Sequence, residues 1–200
     1  MRKIIYSERR RKIHVFFRNI FKKIGLYPWF NPQKMNALEI DPLTGIYNQF
    51  GINTYLTALR PCPKQNYAIV LLNLDNFTEI QHTFGLKAAE KALVKTAGLL
   101  TQNIRDTDLV GKYGEHEFIL ILCNIELDDA NDVARRCLNV IQNTPVRYNA
   151  QKIALDVSCG VSVSDENTVS DKILQYADRA LYLAKASGSN QLRDQRAVFS

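Results

Sequence analysis

Lys112-Tyr113-Gly114-Glu115-His116-Glu117-Phe118 gathers two acids, an imidazole and a glycine between two apolar runs, Asp108-Leu109-Val110 and Phe118-Ile119-Leu120-Ile121-Leu122. Runs of this kind joined by a short turn containing Gly read as a β-hairpin with its polar groups at the tip. Acids and imidazoles at such a tip are the residue types that hold metals. His82 and His116 would need a third ligand, with Glu115, Glu117 or Asp75 as candidates, and imidazole suits softer metals than carboxylate does. The expectation for both histidines is a solvated or hydrogen-bonded side chain. Cysteine adds no metal pattern. Cys62, Cys123, Cys137 and Cys159 are scattered, without a CxxC, and read as reduced thiols in or near the core of an intracellular protein.

The tip must be carried by a folded domain, and the chain alternates accordingly from about residue 36. Asp41-Pro42-Leu43-Thr44-Gly45 opens a helix expected to run to about residue 59. Residues 67–75 form a nearly continuous apolar strand, which implies burial on both faces. A helical stretch starts at Phe77 and continues over 87–103, with Ala88, Leu93, Ala97 and Leu100 on its apolar face. The hairpin strands span 108–113 and 117–123. A helix over 127–142 turns Ala130, Val133, Ala134, Cys137, Leu138 and Ile141 inward. A strand over 153–163, a helix over 172–187 and an edge strand over 192–199 complete the order. Such mixing implies an α+β or α/β sandwich with helices covering one sheet. An apolar share of 46% in 200 residues supplies enough core for one domain plus an extension.

The extension is residues 1–35, and the domain is 36–200. The formal charge of +6 conceals an asymmetry. Residues 1–34 carry ten Lys and Arg against Glu8 alone, about +9, which leaves about −3 for the remainder. A mildly acidic domain argues against nucleic acid as its partner. Within the arm, Ile13, Phe16, Phe17, Ile20, Phe21 and Ile24 recur at helical spacing among Arg11, Arg18, Lys22 and Lys23, so a basic amphipathic helix is expected. Three roles stay open for it: packing on its own domain or a second copy, docking on an anionic membrane surface, or nucleic acid. No apolar run is long enough to span a bilayer, and charges interrupt the start too often for a secretory signal. The expected location is the cytoplasm, with residues 1–24 able to lie on the inner face of its membrane.

Four stretches in order resemble the GGDEF family, the diguanylate cyclases. Asp41-Pro42-Leu43-Thr44-Gly45-Ile46-Tyr47-Asn48 is similar to the opening D-x-L-T-x-L-x-N, and Leu71-Leu72-Asn73-Leu74-Asp75-Asn76-Phe77 to the strand end D-x-D-x-F. The hairpin stands where the family carries R-Y-G-G-D/E-E-F. Ala177-Asp178-Arg179-Ala180-Leu181-Tyr182-x-Ala184-Lys185-x-x-Gly188-x-Asn190 resembles the closing A-D-x-A-L-Y-x-A-K-x-x-G-R-N. Together they span about residues 41–191. The resemblance implies a nucleotide-cyclase-like palm, a ferredoxin-like mixed sheet covered by helices. It also implies a reaction in which two GTP molecules on facing subunits condense to cyclic di-GMP with divalent metals neutralising charge.

Against that pattern the chemistry looks removed. The family's metal-holding acids correspond here to Asn73 and His116, an uncharged amide and an imidazole where Mg²⁺ wants anionic oxygen. Its second Gly corresponds to Glu115, which restores a side chain and a negative charge beside the expected triphosphate. At about 4 Å and an effective dielectric near 20, that repulsion is on the order of 4 kcal/mol, roughly three decades of affinity. Thr78 replaces a phosphate-facing Lys, Gln81-His82 replaces N-D, Ala89-Glu90 replaces G-D, and Ser189 replaces a phosphate-holding Arg. Gly114, Asp75, Glu117 and Lys185 remain. The expectation is a catalytically inactive domain with no cofactor, Mg²⁺ mattering only if activity persists.

Arg105-Asp106-Thr107-Asp108 matches the R-x-x-D of the family's inhibitory product site, with Arg136 or Arg135 placed to add a second guanidinium. The resemblance thus implies cyclic di-GMP binding through Arg105, Asp108 and Arg136. The plainer alternative is that Arg105 complements a helix C-terminus and Asp108 starts a strand after a turn. An unidentified protein partner and a homodimer are further expectations. For the arm, flotation of residues 1–35 with anionic liposomes discriminates among the three roles; no binding at low salt would end the membrane reading.

Overall fold

Residues 67–74 read Tyr-Ala-Ile-Val-Leu-Leu-Asn-Leu, and a strand this apolar on both alternating faces has to be central. The computed structural model describes residues 39–59, 66–164 and 170–199. The basic arm, its helix and Cys62 lie outside the described residues. Strand β1 (Tyr67–Leu74) is buried along its length. It pairs antiparallel with β3 (Glu117–Cys123) on one side and β6 (Val157–Val163) on the other. With β2 (Leu109–Lys112) beside β3 and β7 (Leu192–Asp194) parallel to β6, the sheet order is β2-β3-β1-β6-β7.

Helices α1 (Gln49–Leu59), α2 (Phe77–Phe84), α3 (Leu86–Gln102), α4 (Leu127–Gln142) and α5 (Ser170–Ala186) cover both faces of that sheet, and α6 (Arg196–Phe199) closes the described chain. The two-residue period of β1 divides the core. Ala68, Val70, Leu72 and Leu74 pack with Ala88, Ala92 and Leu93 of α3 and with Ala130, Ala134 and Leu138 of α4. Ile69 and Leu71 face the other way, onto Ile52 and Tyr55 of α1 and Ile173, Ala177 and Leu181 of α5. This is the α+β palm, a mixed sheet between helical layers. No helix among the described residues is long and apolar enough to cross a membrane. Cys137 and Cys159 are buried, and burial pushes the Cys137 thiol up to about 11 and that of Cys159 further, as suits core thiols.

Local chemistry moved several boundaries. Residues 41–45 form a turn, because Asp41 Oδ1 accepts hydrogen bonds from Thr44 N at 2.8 Å and Thr44 Oγ1 at 2.5 Å, and Gly45 takes φ 73°. The helix opens only at Gln49, after Asn48 has accepted a bond from Gly51 N at 2.9 Å in the manner of an N-cap. The helical stretch beginning at Phe77 breaks at Gly85, φ 84°, into α2 and α3. The strand expected from residue 153 starts at Val157. Before it, β4 (Val146–Tyr148) and β5 (Gln151–Ile153) make a separate hairpin about Asn149 and Ala150, both with positive φ. Asn149 suits such a turn, but alanine seldom takes positive φ, so the composition signal is weak. The strand expected over 192–199 ends at Asp194, whose carboxylate accepts from Arg196 N at 2.9 Å and turns the chain into α6.

Helix α5 approaches the sheet closely at Gly160. A Cβ there would stand 2.1 Å from Ala177 O and 2.2 Å from Leu181 N, backbone atoms of α5 that cannot step aside. Gly160→Ala is therefore expected to cost about 3 kcal/mol or to prevent folding. The urea unfolding midpoint checks this.

Candidate functional site

Strand pairing assembles the site. In the antiparallel register of β1 and β3, Asn73 stands opposite Glu117, and in that of β1 and β6 it stands opposite Ser158. Directly opposed residues share a face. Asn73 shares the alternation of Ile69 and Leu71, so that face is the one packed on α5, and Lys185 near the end of α5 reaches it. The result is a chain of hydrogen bonds. Lys185 Nζ donates to Asn73 Oδ1 at 3.1 Å, and Asn73 Nδ2 donates to Glu117 Oε1 at 3.2 Å. Asn73 is only 2% exposed. The other oxygen of Glu117 lies over the hairpin turn, where a Cβ on Gly114 would come within 2.6 Å of Oε2.

Asp75, just past the strand, is engaged differently. Its Oδ2 accepts from Ser158 Oγ at 2.8 Å and from Asn190 N at 3.0 Å. Asn190, in the left-handed region at φ 60°, accepts from Val157 N through Oδ1 and donates to Asp156 through Nδ2. Asp75 thus pins the closing loop after α5 to the sheet. Nothing in the sequence near Asp75 points to Ser158, 83 residues away; only the register of β1 on β6 brings them together.

The hairpin tip is a turn over residues 114–116, with Tyr113 N donating to Glu117 O at 2.9 Å and Leu74 N donating to His116 O at 3.1 Å. His116 lies flat on Phe77, ring centroids 5.1 Å apart and planes 10° from parallel, and its Nδ1 is buried with no hydrogen-bond partner. Among the described residues no three His, Cys, Asp or Glu side chains come together as a metal-holding group. Glu115 is exposed. Water screens its charge, so its repulsion of a phosphate falls toward about 1 kcal/mol at 4 Å rather than about 4. Burial raises the Tyr113 phenol above its ordinary value; a hydrogen bond with Gln49 opposes the rise, and the charge of Asp178 adds to it. Gln81 on α2 and Glu90 on α3 are half-buried, to either side of the Gly85 break, and Ala89 is wholly core.

The R-x-x-D stretch is the loop between α3 and β2. Asp108 is 7% exposed, and its carboxylate takes Arg105 N at 2.9 Å through one oxygen and Cys123 N at 3.1 Å through the other. It shapes the loop and ties it to the end of β3. Arg136 of α4 donates to Asn103 O at 2.8 Å, beside the C-terminus of α3. The service to that helix end comes from Arg136, while the Arg105 residue is exposed. The structure therefore brings Arg105, Asp108 and Arg136 to one loop, with Asp108 holding the backbone together.

Comparison with known proteins agrees with this geometry. Residues 38–191 match the family model described as Diguanylate cyclase, GGDEF domain. The chain is 28% identical over 163 residues to diguanylate cyclase DgcP of Pseudomonas aeruginosa, covering 80% of this chain and 24% of that protein. It is 29% identical to DosC of Escherichia coli over 62% of this chain and 27% of that one, so it spans about a quarter of the length of these relatives. Among solved structures, diguanylate cyclase SiaD of P. aeruginosa in complex with its activator SiaC superposes with a TM-score of 0.75 at 26% identity, over 96% of this chain and 77% of that one. The GGDEF domain of Caulobacter crescentus DgcB in complex with c-di-GMP gives 0.74 at 17% identity, over 79% and 96%, a likeness of fold. The chain belongs to the GGDEF domain family.

Asp108→Ala strips two backbone N–H groups of their acceptor. It is expected to cost about 2–3 kcal/mol in a denaturant titration. Arg105→Ala, at an exposed position, is expected to leave the midpoint within about 0.5 kcal/mol.

Proposed function

We propose that this GGDEF domain is catalytically inactive and works as a regulatory binding module, with cyclic di-GMP as its ligand at Arg105, Asp108 and Arg136. The hydrogen-bond chain Lys185–Asn73–Glu117 carries the reading. Phosphoryl transfer of the family's kind needs positioned positive charge on the phosphates. At the two metal-holding positions this chain has a neutral amide committed to its neighbours and an imidazole stacked on Phe77. Asp75 is spent on the closing loop, and Glu117 turns back over Gly114. These residues do not fit a hard divalent cation, which wants several free anionic oxygens.

Support for the ligand is the geometry of the R-x-x-D loop. Asp108 holds the loop's shape with its two oxygens, each of which keeps a further lone pair. Exposed Arg105 presents a planar guanidinium suited to phosphate and base edges, and Arg136 reaches the start of the same loop through Asn103 O. That DgcB's GGDEF domain is solved in complex with c-di-GMP agrees with this reading. The second reading is a module that docks a protein without nucleotide. It is favoured by Phe50 and Tyr182, aromatic side chains left 56% and 71% exposed.

Incubation of the full chain with GTP and Mg²⁺ is expected to yield neither linear nor cyclic di-GMP. Calorimetry is expected to show cyclic di-GMP binding that weakens roughly ten- to a hundredfold in Arg105→Ala. Product formed from GTP would overturn the inactive assignment. Binding untouched by Arg105→Ala would overturn the site, and no binding at all would leave the protein-docking reading.

A further inference from the structure

Asn73 lies between a cation and an anion, and its amide is matched to both. Lys185 Nζ stands 3.1 Å from Oδ1, and Glu117 Oε1 stands 3.2 Å from Nδ2. An amide is a side-chain group that accepts at one end and donates at the other, so a single orientation satisfies both neighbours. A carboxylate at the same place would keep the lysine but set oxygen against oxygen toward Glu117, its directly opposed partner across β1 and β3. Like charges so placed repel unless a cation stands between them. The position is nearly sealed from water, which sharpens that repulsion.

Resting on the reading above, we infer that Asn73 makes this cleft complete without a divalent ion: Lys185 is its resident cation, and the amide passes that charge on to Glu117. Two contacts and one glycine hold the arrangement in place. Ser158, opposite Asn73 on β6, donates to Asp75 Oδ2 and engages that carboxylate. Asn190 N draws the same oxygen of Asp75 toward the closing loop. Gly114, without a side chain, leaves the space that Glu117 Oε2 occupies. The cleft therefore already holds the Lys185 ammonium, and folding of the domain is indifferent to magnesium.

Thermal unfolding of the full chain, in millimolar magnesium chloride against sodium chloride of equal ionic strength, tests this. The wild-type midpoint is expected to be the same in both. Asn73→Asp is expected to melt about 4–8 °C lower in sodium chloride, the size of one lost charge-assisted hydrogen bond in a chain this long, and to regain most of that in magnesium. Asn73→Asp combined with Glu117→Gln removes the opposed charge and is expected to lose the magnesium response. Should Asn73→Asp not fold in sodium chloride, its refolding yield with magnesium against chelator reads the same quantity. A wild-type midpoint raised by magnesium, or an Asn73→Asp variant deaf to it, overturns the inference. Magnesium binding by the wild type without GTP turnover would sink this inference alone, whereas turnover would sink the reading beneath it.

Discussion

Pairing of β1 with β3 is the constraint on which the site depends, because it decides which side chains meet at the polar end of an apolar strand. Asn73 opposes Glu117 across that ladder, and Glu117 also begins the strand leaving the hairpin turn. A slip of one residue would turn every side chain of β1 to the wrong face. The two packed cores forbid the slip, since Val70 and Leu72 belong to one and Ile69 and Leu71 to the other. The polar cleft is thus held by apolar residues far from it. Its hydrogen bonds choose among arrangements that the cores have already narrowed to one.

The same economy governs the acids. Asp75 and Asp108 stand where chemistry or ligand binding would be sought, and both spend their carboxylates on backbone and hydroxyl donors of their own chain. Asp75 couples the end of β1 to the loop after α5, and Asp108 couples the end of α3 to the end of β3. A buried N–H without an acceptor costs about as much as a hydrogen bond yields, so these carboxylates are structural whatever else they do. Arg105 enters its loop's bonding through its backbone N, and the residue is exposed. His116 is the converse case. Its ring is spent on Phe77 and one nitrogen goes unpartnered, so packing, not polarity, places it.

Most of the fold was legible in the residues. The apolar run over 67–74, the alternation on either side of the hairpin and the helical periods over 127–142 and 172–187 each matched an observed element within a few residues. The misses share a cause. Residues 41–45 turn because Asp41 caps Thr44, and 149–150 turn on an alanine with positive φ; both depend on single hydrogen bonds or backbone angles that periodicity does not record. The split at Gly85 was visible as a glycine, yet whether a glycine breaks a helix is decided by what the flanking segments pack against.

The sequence by itself determined the fold class, the family, and which residue types stand at the positions where the family carries acids. Residue type could be read directly because strand period and motif order need no third dimension. Only the tertiary structure decided what those residues do there. It placed Lys185, more than a hundred residues along the chain, against Asn73, exposed Glu115 to water, and turned Asp108 inward upon its own loop. Each of these follows from which elements pack together and how much water is left between them, and neither burial nor long-range register is written in local spacing.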